Sequence, residues 1–178
     1  MKKTVPVILL ALCATGVMAG ERHTLTAGYS EMTGNSIYGI SPSGVALNYF
    51  YEPNDTSFGW VMSGTMTSGS NQYKPFPTMD IESTAKIKYS SFRIGPSYRV
   101  NDEISVYATA GFAKSKVDLG SNFGSVTDRD VSYSIGAKYA PAVFGPVAFD
   151  VQYENSPIRM SGQRMNNGFL SIGAGFSF

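Results

Sequence analysis

Five charged side chains interrupt otherwise apolar, alternating stretches of the chain: Glu52, Arg93, Lys138, Asp150 and Glu154. Three acids and two bases suit one of two chemistries. Acid–base catalysis needs a substrate-sized cleft with the groups arranged around it, and the residues flanking these five suggest none. An ion-pair network needs only a shared enclosed space, in which a lone charge would cost several kcal/mol. The network asks less of the sequence and is the reading adopted, with Arg99 nearer one mouth of that space. Other chemistry is thin. His23 is the only histidine; a catalytic one should stand at an active rim with a nucleophile and an orienting acid, whereas His23 starts the first strand-like segment only a few residues after the leader-like stretch. The single cysteine, Cys13, falls in a leader-like segment, so only carboxylates remain as metal ligands. Gly173, Ala174 and Gly175 have no following helix that would bind a phosphate. Asn54, Asp55 and Thr56 match a glycosylation sequon in a short turn, where the match is read as accidental.

The elements that must position the five charges are β-strands. Val147, Phe149, Val151 and Tyr153 alternate with Ala148, Asp150, Gln152 and Glu154, which puts both acids on the polar parity of one strand. Val45, Leu47, Tyr49 and Tyr51 likewise leave Glu52 on the opposite face with Ala46, Asn48 and Phe50. Phe92, Ile94, Pro96 and Tyr98 oppose Arg93, and Val131, Tyr133, Ile135, Ala137 and Tyr139 oppose Lys138, although Pro96 would remove a ladder hydrogen bond. Similar segments begin near His23, Phe58, Ile104 and Asn167, making eight in all. Connections near Pro53, Asn101 and Pro141 are short; those spanning about Glu31–Pro42, Ser68–Thr84, Val117–Asp130 and Asn155–Met165 are long.

Lys2 and Lys3 ahead of the apolar run Val5–Ala14, with small or medium residues at Val17, Met18 and Ala19, read as a secretory signal peptide cleaved after residue 19. Removing it takes two of the 14 basic residues and leaves 12 against 13 acidic ones, a net charge near −1 that argues against nucleic acid. No later apolar run is long enough for a membrane helix, and 19 glycines with 11 Tyr and 11 Phe favour strands. One domain, residues 20–178, is expected. Eight strands joined by alternating short and long connections fit two closed barrels. A soluble ligand-binding barrel turns its apolar parity inward, whereas a membrane barrel turns it toward lipid. Tyr29, Tyr49, Tyr51, Phe58, Trp60, Tyr98, Phe112, Tyr133, Tyr153, Phe176 and Phe178 fall on the apolar parity, many near strand ends, as in interfacial girdles, and the chain stops on Phe176, Ser177 and Phe178, so the expectation is an eight-stranded antiparallel transmembrane barrel.

The run Gly95–Arg99 followed by Asn101 and Asp102, the segment Ser132–Ala137, Tyr153 and Glu154 ahead of Ser156, and the close Gly173–Phe178 resemble the Ail/OmpX/Lom family of small enterobacterial outer-membrane proteins. The resemblance implies termini in the periplasm, four loops outside the cell, and Phe176 and Phe178 as the signal read by the barrel assembly machinery. The expectation is a monomer set among outer-membrane lipid and lipopolysaccharide, with no enzymatic activity and no cofactor. Members are associated with attachment to host cells or matrix proteins and with resistance to complement, so matrix or complement-regulating proteins are the expected partners. A structural envelope protein without a ligand is the alternative. The expected loop contacts are Tyr73 and Phe76 in the second long connection and Arg159 and Arg164 in the fourth.

Overall fold

The computed structural model describes residues 21–33, 40–73, 83–118, 124–160 and 163–178. The expected leader and Phe76 lie outside the described residues. Alternating residues fold into β1 (Glu21–Thr33), β2 (Ser43–Pro53), β3 (Phe58–Tyr73), β4 (Ser83–Arg99), β5 (Ile104–Asp118), β6 (Ser125–Tyr139), β7 (Val147–Met160) and β8 (Gln163–Ser177), with a short 3-10 helix at Ala142–Phe144. Each strand pairs with the next, and β8 pairs antiparallel with β1, closing the barrel and leaving no free edge.

Parity decides what faces where. In β5, Ser105, Tyr107 and Thr109 are buried while Ile104, Val106, Ala108, Ala110 and Phe112 face outward. The outward rows expose large apolar side chains, among them Phe112 at 77%, Ile135 at 65% and Trp60 at 58%. A water-soluble barrel would bury that parity, so the wall is built for lipid. Rings collect at two levels: Tyr49, Tyr51, Phe58, Tyr98, Tyr139, Phe149 and Phe176 near the short turns, and Tyr29, Phe92, Phe112, Tyr133 and Tyr153 at the other end. On β3 the outward positions from Phe58 to Met66 span roughly 27 Å along the strand, which at a tilt of about 40° is about 20 Å of height, most of a lipid-facing band.

Two sequence expectations change. Pro96 does sit within β4, and the ladder accommodates it: β4–β5 pairing is interrupted between Ile94↔Ala110 and Ser97↔Tyr107, while Pro96 still lies opposite Trp60 on β3. The long connections are shorter than expected, because β3, β4, β5, β6, β7 and β8 all continue past the lipid-facing band. Ser70↔Lys86, Lys116↔Thr127 and Arg159↔Arg164 are strand pairs, not loop residues. Beyond the band the outward face turns polar while the inward face stays buried, as Lys86 and Lys88 against Ala85, Ile87 and Tyr89 show, so the apolar–polar contrast reverses while the backbone ladder continues.

Candidate functional site

The inward parity brings Glu52, Arg93, Lys138, Asp150 and Glu154 into the lumen, all buried. They form two cross-lumen pairs and one acid bonded to neutral groups. Arg93 on β4 pairs with Glu154 on β7, and its guanidinium also donates to Ser63 at 2.8 Å and Thr65 at 3.1 Å on β3. Glu154 accepts from the Tyr89 hydroxyl and from Ser132 at 2.7 Å. Lys138 on β6 pairs with Glu52 on β2, with its ammonium 4.9 Å from the centre of the Phe50 ring.

Asp150 departs from the expected network. It lies directly opposite Lys138 in the β6–β7 register, yet the lysine reaches toward Glu52 and Thr24 at the periplasmic mouth. The Asp150 carboxylate instead accepts from the Tyr107 hydroxyl at 2.8 Å and from the Asn48 amide, and it has no ion pair among the described residues. Apolar layers separate these groups. Phe50 meets Tyr107 edge-on at 5.2 Å beside Val61, and Tyr89 stacks on Phe169 at 4.3 Å beside Met32 and Ala113. Tyr107 has this room because its ring lies against Gly136, where an added Cβ would fall 2.3 Å from the Tyr107 Cζ. Side chains from opposite walls therefore meet at successive levels, and the interior is packed.

A second group of charges lies on the outer wall, where sequence reasoning did not look. Above the last outward rings of β4, β5 and β6, the outward parity continues as Lys86 and Lys88, Lys114 and Lys116, and Arg129, all exposed. The register sets Lys88 opposite Lys116 and Lys114 opposite Arg129. Like charges directly across a ladder repel, each pair costing a few tenths to about 1 kcal/mol. Only Lys86 faces an acid across the ladder, Asp118. Lys88, Lys114 and Lys116 border a shallow groove of about 380 Å³ with Met66, Ser68 and Ser90 at its side. Such a surface attracts anions with several negative groups. Its sequence signal was the two-residue spacing of Lys86/Lys88 and Lys114/Lys116, which continues the outward parity of strands that seemed already to have ended.

The remaining expected contacts are spread apart. Tyr73 ends β3 opposite Ser83, while Arg159 and Arg164 face each other near the end of the β7–β8 ladder, a third like-charged register position. At the seam, Phe176 points outward at 63% exposure, opposite Leu25 of β1 and Val147 of β7. Phe178 N–H donates to the His23 carbonyl at 2.8 Å and His23 N–H donates to the Phe178 carbonyl at 3.0 Å. Their rings stack at 5.8 Å. His23 also touches Tyr49 through a 2.8 Å hydrogen bond and lies 3.6 Å from Glu21, so its neighbours are aromatic rings and one acid rather than a nucleophile.

Comparison with known proteins gives the same architecture. The sequence matches the outer membrane protein beta-barrel domain family over residues 5–178. Outer membrane protein X of Enterobacter cloacae is 29% identical over 175 residues, covering 96% of this chain and 93% of its own. The virulence membrane protein PagC of Salmonella typhimurium is 26% identical, covering 97% and 95%, and the attachment invasion locus protein of Yersinia enterocolitica is 25% identical over the whole of both chains. The crystal structure of Ail, the attachment invasion locus protein of Yersinia pestis, in complex with the heparin analogue sucrose octasulfate, superposes with a TM-score of 0.72 at 24% identity, covering 89% of this chain and 99% of that one. The molecule is an outer-membrane protein that crosses the bilayer with eight strands, its termini in the periplasm and its long ends outside the cell. The chain belongs to the outer membrane protein beta-barrel domain family, among the small barrels of the Ail/OmpX/Lom group.

Proposed function

We propose that this barrel is a non-enzymatic attachment protein whose extracellular end holds an anionic host macromolecule, with a sulfated matrix polysaccharide or a matrix or complement-regulating protein that carries one as the partner. The observation that carries the reading is the outward row Lys86, Lys88, Lys114, Lys116 and Arg129, which keeps two like-charged pairs face to face just above the lipid-facing band. Repulsion of that kind lowers stability and is relieved when a polyanion lies across it. Arg159 and Arg164 add positive charge at the end of β7 and β8. The Yersinia relatives carry attachment in their names, and the Yersinia pestis protein has been crystallised with a heparin analogue, which supports a polyanion as the class of ligand. The lumen supports the non-enzymatic part of the reading, since its charged groups are matched to one another or to neutral donors in a packed interior.

The test uses cells that make the barrel and cells that lack it, both with short surface sugars so that the extracellular end is accessible. Cells with the barrel should adhere to surfaces coated with sulfated polysaccharide or matrix protein, less so as salt rises. Equal adhesion of both cell types at low salt would leave a structural envelope protein as the account.

Assembly is proposed as the role of Phe176 and Phe178, with residues 1–19 as a cleaved leader. Deleting Phe178 would remove two seam hydrogen bonds along with the ring. Phe178→Ala is therefore the cleaner variant: the inserted amount should fall while refolded protein keeps nearly the same thermal stability. Normal insertion of this variant in cells would refute the signal role.

A further inference from the structure

Three connections lie at the periplasmic end, and one differs in kind. Asn54, Asp55, Thr56 and Ser57 join β2 to β3, and Val100, Asn101, Asp102 and Glu103 join β4 to β5; both turns are acidic, and apart from Val100 both are polar. The turn from β6 to β7 reads Ala140, Pro141, Ala142, Val143, Phe144, Gly145 and Pro146, without a charged or hydrogen-bonding side chain. Its centre is the 3-10 helix Ala142–Phe144, none of whose residues is buried. Val143 is 88% exposed and Phe144 58%.

The turn is held in place from several sides. Ala140 N–H donates to the Glu103 carbonyl at 2.7 Å, and Ala142 N–H donates to the Glu103 carboxylate at 3.2 Å. Ser177 N–H donates to the Pro146 carbonyl at 2.7 Å, which ties the turn to β8. Gly145, at φ 62°, ends the helix in a conformation that suits glycine. The Phe144 ring then lies edge-on to Phe149 at 6.2 Å. Phe149 stands in the outward row Val147, Phe149, Val151 and Tyr153, so the exposed pair continues the lipid-facing wall around the end of the barrel.

We propose that Val143 and Phe144 form an interfacial wedge that inserts into the phospholipid of the periplasmic leaflet, while the two acidic turns remain in water. The partner follows from continuity with the lipid-facing wall and from the lack of charge in this turn alone. An aromatic and an aliphatic side chain on a pinned turn are suited to the boundary of acyl chains and headgroups. The wedge fixes the depth of the barrel on its β6–β7 side.

The experiment uses the full barrel with Trp60→Phe, which removes the only tryptophan. Phe144→Trp is then compared with Asn54→Trp, each folded into vesicles of phosphatidylethanolamine and phosphatidylglycerol whose acyl chains carry bromine. Folding is checked by heat-dependent gel migration. Brominated lipid should quench the tryptophan at 144 several-fold more than the one at 54, and aqueous acrylamide should show the reverse order. Equal acrylamide access at both positions, with no quenching by lipid at 144, would overturn the proposal and leave the apolar tip for a periplasmic protein. If Phe144→Trp disturbs the turn, Val143→Trp at the more exposed position gives the same reading.

Discussion

Arginine and lysine occur in two regions of this barrel under opposite rules. In the lumen, Arg93 and Lys138 are each matched to a carboxylate from another part of the wall, Glu154 and Glu52. On the outer wall, Lys88 faces Lys116 and Lys114 faces Arg129. The lumen buries its side chains, so an unmatched charge there would cost several kcal/mol and the sequence supplies partners. The outer wall is exposed, repulsion there is screened and small, and the sequence can keep bases together for a ligand. Residue type alone therefore does not separate structural from binding charges; the medium around each one does.

The largest effect should come from breaking a lumen pair. Glu154→Leu would strand the Arg93 guanidinium in a packed interior and should cost about 3–5 kcal/mol in denaturant unfolding of the refolded barrel. Adding Arg93→Met should recover most of that loss, because no buried charge then lacks a partner. A cost below about 1 kcal/mol for the single change would mean that Arg93 is hydrated and the contrast between the two regions is false.

Asp150 sharpens the comparison from inside the lumen. It accepts from Tyr107 and Asn48 rather than matching a base, so Asp150→Asn strands no cation and should cost only about 1–2 kcal/mol. A cost as large as that of Glu154→Leu would restore Asp150 to the ionic network. Unfolding of the two variants side by side decides between these outcomes.

The outer wall should show the smallest effect on stability, with the opposite sign. Lys88→Glu replaces a repulsive pair with an attractive one and should stabilise the barrel by about 0.2–1 kcal/mol. Destabilisation by more than that would show Lys88 to be packed or paired, contrary to its exposed position.

The fold was legible because bilayer and lumen impose opposite demands on alternate residues. Val147–Glu154 carries that contrast at every position, and β7 was readable down to which acids point inward. Asp150 shows the limit of such reading: parity put it in the lumen beside Lys138, but the direction in which the lysine extends is a rotamer choice set by Glu52 and Thr24, far away in sequence. The extracellular wall was missed for a different reason. Ser83–Ser90 and Lys114–Asp118 lie past the lipid-facing band, where the alternation inverts, with Ala85, Ile87 and Val117 inward and the lysines outward, so following the outward apolar row alone ends these strands too early. The turn that carries Val143 and Phe144 was read in the sequence only as a short connection near Pro141, because its setting depends on Glu103 and Phe149, which only the closed barrel brings alongside.

The outer-wall bases are proposed to bind a polyanion while the lumen charges hold the barrel together. The direct measurement is the association rate of heparin with the purified barrel in lipid discs, comparing wild type with Lys88→Glu/Lys116→Glu at low and high salt. The account predicts that the double variant keeps its heat-dependent gel migration and its stability, loses at least about tenfold in association rate at low salt, and loses most of its salt dependence. Wild-type association and salt dependence in a correctly folded variant would contradict it.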